Sequence, residues 1–506
     1  MADTSFYDVV VCGGETAGLV AAALLARRGF RVLLVGDETA QASFETGVAP
    51  LSRAPAVLPP LDDPQSARVY KELDCGTTLR RRAEPAPALR VMFGQQRVDL
   101  TTDAAAGERE LGRAFGPGAG PAIGALERLD ALGRLIDPLL ATAITLPPHG
   151  FWERREVGRL ESLLPRPGTD PMAPLAADHP FRTVAMAPAA LSTALAPGGV
   201  GPLAEARALA LVRRGVAVLD GGLAALQELL LQRIETFGGD RRRRLDPVVV
   251  VRRGRAIGLR PRGRDETIGC RWLLWAGPMA GLREALGEDA PAPPARGRPA
   301  PLRLAGYRYA LALLVGAKAL PAGTPSRVLA IGDPTRPLVE DNALALTVGR
   351  PSAREADRVP LWVECAVPAH LVDAGPSYLR ALRGRLLHTL ERLYPELGKQ
   401  IAVVASPYDG LPPQRGPAAD GVDGKGVAPS AAVLPPALYE RAAPGPLDVT
   451  GLPHATSVKN LLLVGRENLP GLGLEGELVS GWGAARLVGP APLRRVSLRR
   501  RTLFGG

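Results

Sequence analysis

YDVVVC (7–12), GGETAG (13–18), LVAAALLARRG (19–29) and RVLLV (31–35) make up the stretch whose reading decides the fold. The first segment is an unbroken apolar run rich in β-branched residues, the pattern of a strand buried on both faces of a parallel sheet. Ala and Leu fill the third, which reads as a helix, and Gly29 stands where a helix C-terminus favours a left-handed residue. The fourth is a second buried strand. Strand, glycine-rich turn, helix and strand in this order form one parallel crossover unit. Its turn delivers the chain to a helix N-terminus, whose free N–H groups and dipole attract an anion.

Segments that extend such a sheet recur downstream. Asp220-Gly221-Gly222 introduces a helix from Leu223 to Phe237. Residues 248–251 and 256–260 read as two strands joined by an Arg-Arg-Gly-Arg turn, 272–276 as a buried strand, and 460–464 as a last one. That last strand runs into Gly465-Arg466 and then a helix from about Glu475 to Val488.

The opening turn carries two of the three glycines of the dinucleotide-binding pattern Gly-x-Gly-x-x-Gly, at Gly13 and Gly18. With the Asp220-Gly221-Gly222 segment and NLLLVGRENLPGLGLEGELVSGWGAARLV (460–488), the chain resembles the phytoene desaturase / amine oxidase group of FAD-dependent oxidoreductases. The resemblance touches both ends and the middle of the chain. It implies an α/β protein with a Rossmann-type FAD/NAD(P)-binding domain and a discontinuous α+β substrate domain of antiparallel sheet plus helices. Residues 1–104, 216–290 and 440–506 would form the first domain, 105–215 and 300–439 the second, and 288–302 a Pro-rich linker. FAD is the implied cofactor. The implied contact residues are Gly13, Gly14, Glu15, Thr16, Gly18, Asp37, Gly465, Arg466 and Gly473.

Three positions that contact the cofactor in the family depart from its pattern. Glu15 replaces the second glycine, where backbone and pyrophosphate come closest. Gly36 occupies the place of the acidic residue that ends the second strand and binds ribose, with Asp37 and Glu38 just beyond it. Arg466 stands where many relatives have Asp. One idea joins two departures: the Glu15 carboxylate occupies the anion site of the helix and pairs with Arg466. The expectation is weakened or lost FAD binding, leaving a binding or partner subunit for an apolar ligand or a protein. The alternative is an active FAD-dependent oxidoreductase or desaturase acting on an isoprenoid-like molecule. Arg466 would then hold the diphosphate, with Glu15 turned to solvent. A third reading, a nucleotide in an altered site, has no positive support in the residues.

Between the ends, residues 105–165 alternate helical stretches with Gly and Pro breaks; 122–141 has apolar residues at helical spacing, interrupted by Pro138. Residues 307–315, 327–332, 343–349 and 360–366 read as strands of an antiparallel sheet, followed by an amphipathic helix over 377–393. Trp272 and Trp275 read as core, Tyr307 and Tyr309 as sheet packing rather than cavity lining, and His388 as non-catalytic. Gly471, Gly473, Gly476, Gly481 and Gly483 admit two readings, a helix lying close to a flavin or a helix packed tightly on protein. No general base, nucleophile or carboxylate pair stands out.

The 506 residues are too many for one core and suit two domains. The net charge of +11 is an arginine charge, dispersed among acids except at Arg241–Arg244 and Leu493–Phe504. That tail suits an anionic membrane surface or an acidic partner, and equally a solvated terminus. Aromatic residues at 4% are too few and too scattered for a base-stacking platform, so no nucleic-acid partner is expected. Cys12, Cys75, Cys270 and Cys365 have no metal or redox spacing, no metal is expected, and without a signal peptide or spanning run the default location is cytoplasmic.

Overall fold

The computed structural model describes residues 6–36, 43–46, 49–164, 169–242, 246–289, 302–351, 357–373, 375–419, 433–442 and 447–489. Asp37, most of the Pro-rich linker, Arg243, Arg244 and the Arg-rich tail lie outside them.

Two sheets organise the molecule. In the first, parallel strands run in the order Asp240–Arg242, Val32–Val35, Phe6–Cys12, Ile268–Trp275 and Leu461–Leu463. The hairpin Pro247–Arg252 and Arg255–Pro261 extends it antiparallel. Val9, Val10 and Val11 are fully buried, as a central parallel strand requires. The helices Thr16–Arg27, Gly222–Thr236 and Gly473–Val488 pack together over one face. Arg241, part of the expected basic cluster, pairs with Glu235 at 2.6 Å on the edge strand, so this piece of the cluster serves the sheet edge.

Among the described residues the second sheet has nine strands. Its centre runs antiparallel through Leu302–Gly316, Arg358–Pro368, Ala343–Val348 and Arg327–Ile331. These are the four strands read from the sequence, the first and last in chain order longer at both ends and the other two one residue shorter. Residues 88–101 form the hairpin Ala88–Phe93 and Gln96–Thr101, whose first strand pairs parallel with Arg327–Ile331. Ala437–Arg441 likewise pairs with Leu302–Gly316, across the boundary drawn at 440. Alternating apolar residues announce a strand, but its partner lies more than two hundred residues away and leaves no local mark. Tyr309 is fully buried on the face covered by helix Pro376–Leu393, and its hydroxyl donates to Asp409 at 2.9 Å.

Helices Ala104–Phe115, Ala119–Arg134, Asp137–Ala141, Phe151–Glu161, Phe181–Ser192 and Pro202–Arg214 form one core with the hairpin 88–101, strand Arg327–Ile331 and the segment around Leu469, Leu472 and Val479. Pro138 begins the short helix Asp137–Ala141, where a missing N–H costs nothing. Among the described residues, no helix is long and apolar enough to cross a membrane.

Candidate functional site at the junction of the sheets

The turn after Phe6–Cys12 shows what each glycine is for. Gly13 has φ 110°, and a Cβ there would land on the carbonyl of Ala276. A Cβ on Gly18 would meet the Ala276 methyl. Ala276 is tied to this strand by its N–H to the Cys12 carbonyl at 2.7 Å. The first and third glycines are therefore demanded by protein packed against protein. The carbonyl of Gly14 accepts from Gln227 Nε2 at 3.2 Å, and Thr16 is buried in the first helical turn.

Position 15 faces elsewhere. Glu15 is the extended N-cap residue of helix Thr16–Arg27, with no side-chain cap bond. Its Oε2 reaches across the turn to within 3.2 Å of where a Cβ on Gly465 would stand. The carboxylate thus lies between the helix N-terminus and the segment following Leu461–Leu463. The N–H of Gly465 is itself engaged, donating to Asn468 Oδ1 at 2.8 Å and Ser480 Oγ at 3.1 Å.

Arg466 is brought to the same place, half-buried, but its ion pair is with Glu477, Nη2 to Oε1 at 3.1 Å. The sequence reading proposed Glu15 as the partner and missed Glu477, which lies one helical turn inside Gly473–Val488. Burial works to strip the Arg466 proton; the charge of Glu477, then that of Glu15, more than offsets it and holds the guanidinium ionised. Glu15 therefore acts on Arg466 through its field.

The five glycines of the C-terminal segment all abut protein. A Cβ on Gly473, which has φ 55°, would strike the Ser192 carbonyl; Gly471 faces Val449, Gly476 Leu469, Gly481 Val20, and Gly483 Thr145. Tight packing alone accounts for them.

Gly473 and Arg466 also border a cavity of about 180 Å³ at the carboxyl ends of the parallel strands, where open α/β sheets bind ligands. Its floor is the second sheet. Ala310 opposes Glu364, which opposes Ala345; Thr347 opposes Trp362 and Arg327. Side chains alternate along a strand, so Arg308, Arg327, Thr347 and Glu364 share the face turned toward the first sheet. Apolar walls come from Leu191, Leu211 and Leu472. On one side Arg207, 1% exposed, bridges Glu475 (Nε to Oε2, 3.0 Å) and Asp137 (2.6 Å); Arg214 joins Asp137 and Asp63. This network binds helix Pro202–Arg214 to the C-terminal helix.

The floor residues were not singled out from the sequence. A signal was there: Arg308 in YRYALALLV and Glu364 in LWVECAV are charges inside strands otherwise apolar. Among the described residues, no group of His, Cys, Asp and Glu is arranged to hold a metal ion.

No protein-family model matches the chain, and no curated protein matches it in sequence. Solved structures do match in shape. An oxidoreductase from Methanosarcina mazei aligns with 94% of this chain and 99% of its own, with TM-score 0.57 and 14% identity. The PF1083 protein from Pyrococcus furiosus aligns with 96% and 99%, with TM-score 0.54 and 14% identity. A myxobacterial chondrochloren halogenase, described as a variant of FAD-dependent halogenases, aligns with 96% and 74% at TM-score 0.44 and 15% identity. The chain has the two-domain α/β fold of Rossmann-type oxidoreductases, with a separate substrate domain.

Proposed function

We propose that this chain is a binding protein built on a flavoprotein scaffold, with its own Glu15 carboxylate in the place of a cofactor phosphate. Within the FAD-dependent oxidoreductases, the order of its motifs argues for descent from the phytoene desaturase / amine oxidase branch. The carrying observation is the position of Glu15 Oε2 against Gly465, at a helix N-terminus. The residues present do not fit an FAD diphosphate. A carboxylate would face it, the Gly465 N–H is committed to Asn468 and Ser480, and Arg466 is paired with Glu477. Gly13 and Gly18, which face Ala276, are kept, while the glycine that would face a ligand is replaced. That is the pattern left when the fold is retained and the cofactor is not.

The junction cavity suits a smaller guest. About 180 Å³ falls below the roughly 300–1,000 Å³ typical of sites for drug-sized ligands. The chain's own side chains supply the binding: arginines on the floor, leucines on the walls. The test is the absorbance spectrum of the purified protein, with acid-released material assayed for FAD. A spectrum that stays flat after incubation with excess FAD supports this reading. A flavin band at near-stoichiometric amount overturns it in favour of an active oxidoreductase on a hydrophobic substrate.

A further inference from the structure

Among the described residues, no ion pair holds the two arginines of the cavity floor. Arg327 is 6% exposed and lines the cavity, yet its Nε has no hydrogen-bond partner, and among the described residues its guanidinium makes no ion pair. A buried guanidinium ordinarily has its charge matched, because an unpaired buried charge is costly, so one that lines a cavity with a bare Nε and no ion pair leaves room for an acceptor. Arg308 lies on the same face. Carbonyls fix its guanidinium, Ala190 at 3.2 and 3.3 Å and Thr193 at 2.9 Å, but carbonyls leave its charge uncancelled. Glu364 is the carboxylate that acts on both arginines, and it does so through its field. Two guanidiniums and one carboxylate leave one positive charge. The other arginines of the cavity, Arg207 and Arg466, already hold Glu475 and Glu477. Burial has pushed Arg327 down to about 10, so it stays ionised at neutral pH while poorly solvated.

We propose that this floor binds a small carboxylate-bearing molecule, its carboxylate on Arg327 and Arg308 and its apolar part against Leu191 and Leu211. A planar guanidinium matches a carboxylate edge to edge, and one negative charge balances the floor. A doubly charged phosphate would exceed that single positive charge. Size agrees: a cavity of roughly 150 Å³ holds benzene, so about 180 Å³ accommodates a ring or short chain with a carboxylate. The inference rests on reading this cavity as the ligand site, but not on the fate of the flavin, and flavin content is measured separately.

The test uses benzoate and hexanoate as probes, with benzyl alcohol as an uncharged control and inorganic phosphate as a competitor, in calorimetry and thermal melting of the full chain. Benzoate or hexanoate is expected to bind and to raise the melting temperature, while benzyl alcohol and phosphate do neither. Arg327→Met is expected to weaken probe binding at least tenfold without lowering the ligand-free melting temperature, because it removes an uncompensated buried charge. Glu364→Gln is expected to tighten binding by removing a like charge. Three results would overturn the proposal: equal binding of benzyl alcohol, phosphate in preference to both carboxylates, or no binding of either carboxylate. So would an Arg327→Met variant that melts lower yet binds as before, since that is a structural arginine.

Discussion

Replacing Glu15 by glycine restores the complete Gly-x-Gly-x-x-Gly turn and removes the charge that stands in the phosphate position. The gain follows from Coulomb's law. A phosphate seated at the N-terminus of helix Thr16–Arg27 would lie roughly 4 Å from the Glu15 carboxylate. At an effective dielectric constant of about 20, each pair of like charges at that distance costs about 4 kcal/mol. Relief of one such pair corresponds to about a thousandfold in affinity. The cost to the fold is small: glycine at an N-cap loses only a few tenths of a kcal/mol, and an acidic side chain at a helix N-terminus contributes about 0.3–1 kcal/mol. Arg466 keeps Glu477 as its partner in the variant. The assay is titration of FAD and of ADP into wild-type, Glu15→Gln and Glu15→Gly proteins. The expected order of affinity is glycine, then glutamine, then wild type, the glutamine variant gaining from lost charge but not from space. If all three bind FAD equally, whether tightly or not at all, the Glu15 carboxylate does not occupy the phosphate position and the reasoning fails.

Glu475→Gln leaves Arg207 buried with Asp137 as its main counter-charge, and unfolding in urea should show a loss of about 3–5 kcal/mol; a loss under 1 kcal/mol would mean the network is solvated. Gly473→Ala forces a methyl onto the Ser192 carbonyl at φ 55°, so the melting temperature should fall markedly, and an unchanged value would refute the packing role assigned to this glycine. Glu205 is pushed up to about 7 by burial, with help from Asp448 and Asp170. Its folded state holds a proton that the unfolded chain has lost, so this group lowers stability as pH rises from about 4.5 to about 7. The effect is worth up to about 3 kcal/mol. Glu205→Gln should be more stable relative to wild type at pH 8 than at pH 5, and urea midpoints at the two values check it.

The first sheet was legible because its strands are buried on both faces and therefore spell themselves as apolar runs: YDVVVC, RVLLV, NLLLV. The amphipathic helix over 377–393 was legible for the same reason at a different period. What was not legible depended on pairing across the chain. The hairpin 88–101 looks like any hairpin until Arg327–Ile331 lies beside it. Glu477 was hidden by the turn of a helix that carries it back over Arg466. Arg308, Arg327 and Glu364 come from three strands and form a floor only once the register is known. The opening glycine pattern was read as a dinucleotide signature, and the structure adds that Gly13 and Gly18 answer to Ala276, a neighbour that no local pattern announces.

The place of Leu461–Leu463 beside Ile268–Trp275 sets an order of events during synthesis. Once residue 275 leaves the ribosome, Leu273–Trp275 can pair with Phe6–Cys12 on one side, but the other side stays an open parallel edge. The helix Gly473–Val488, which packs on Thr16–Arg27, is also still to come. At about 5–20 residues per second, that edge and the apolar face of the first helix wait roughly ten seconds or more for cover. Unpaired edges and bare apolar faces are where chains stick to one another. The nascent chain therefore has a defined window of exposure, closed by 461–488, in which it is most prone to association with other chains.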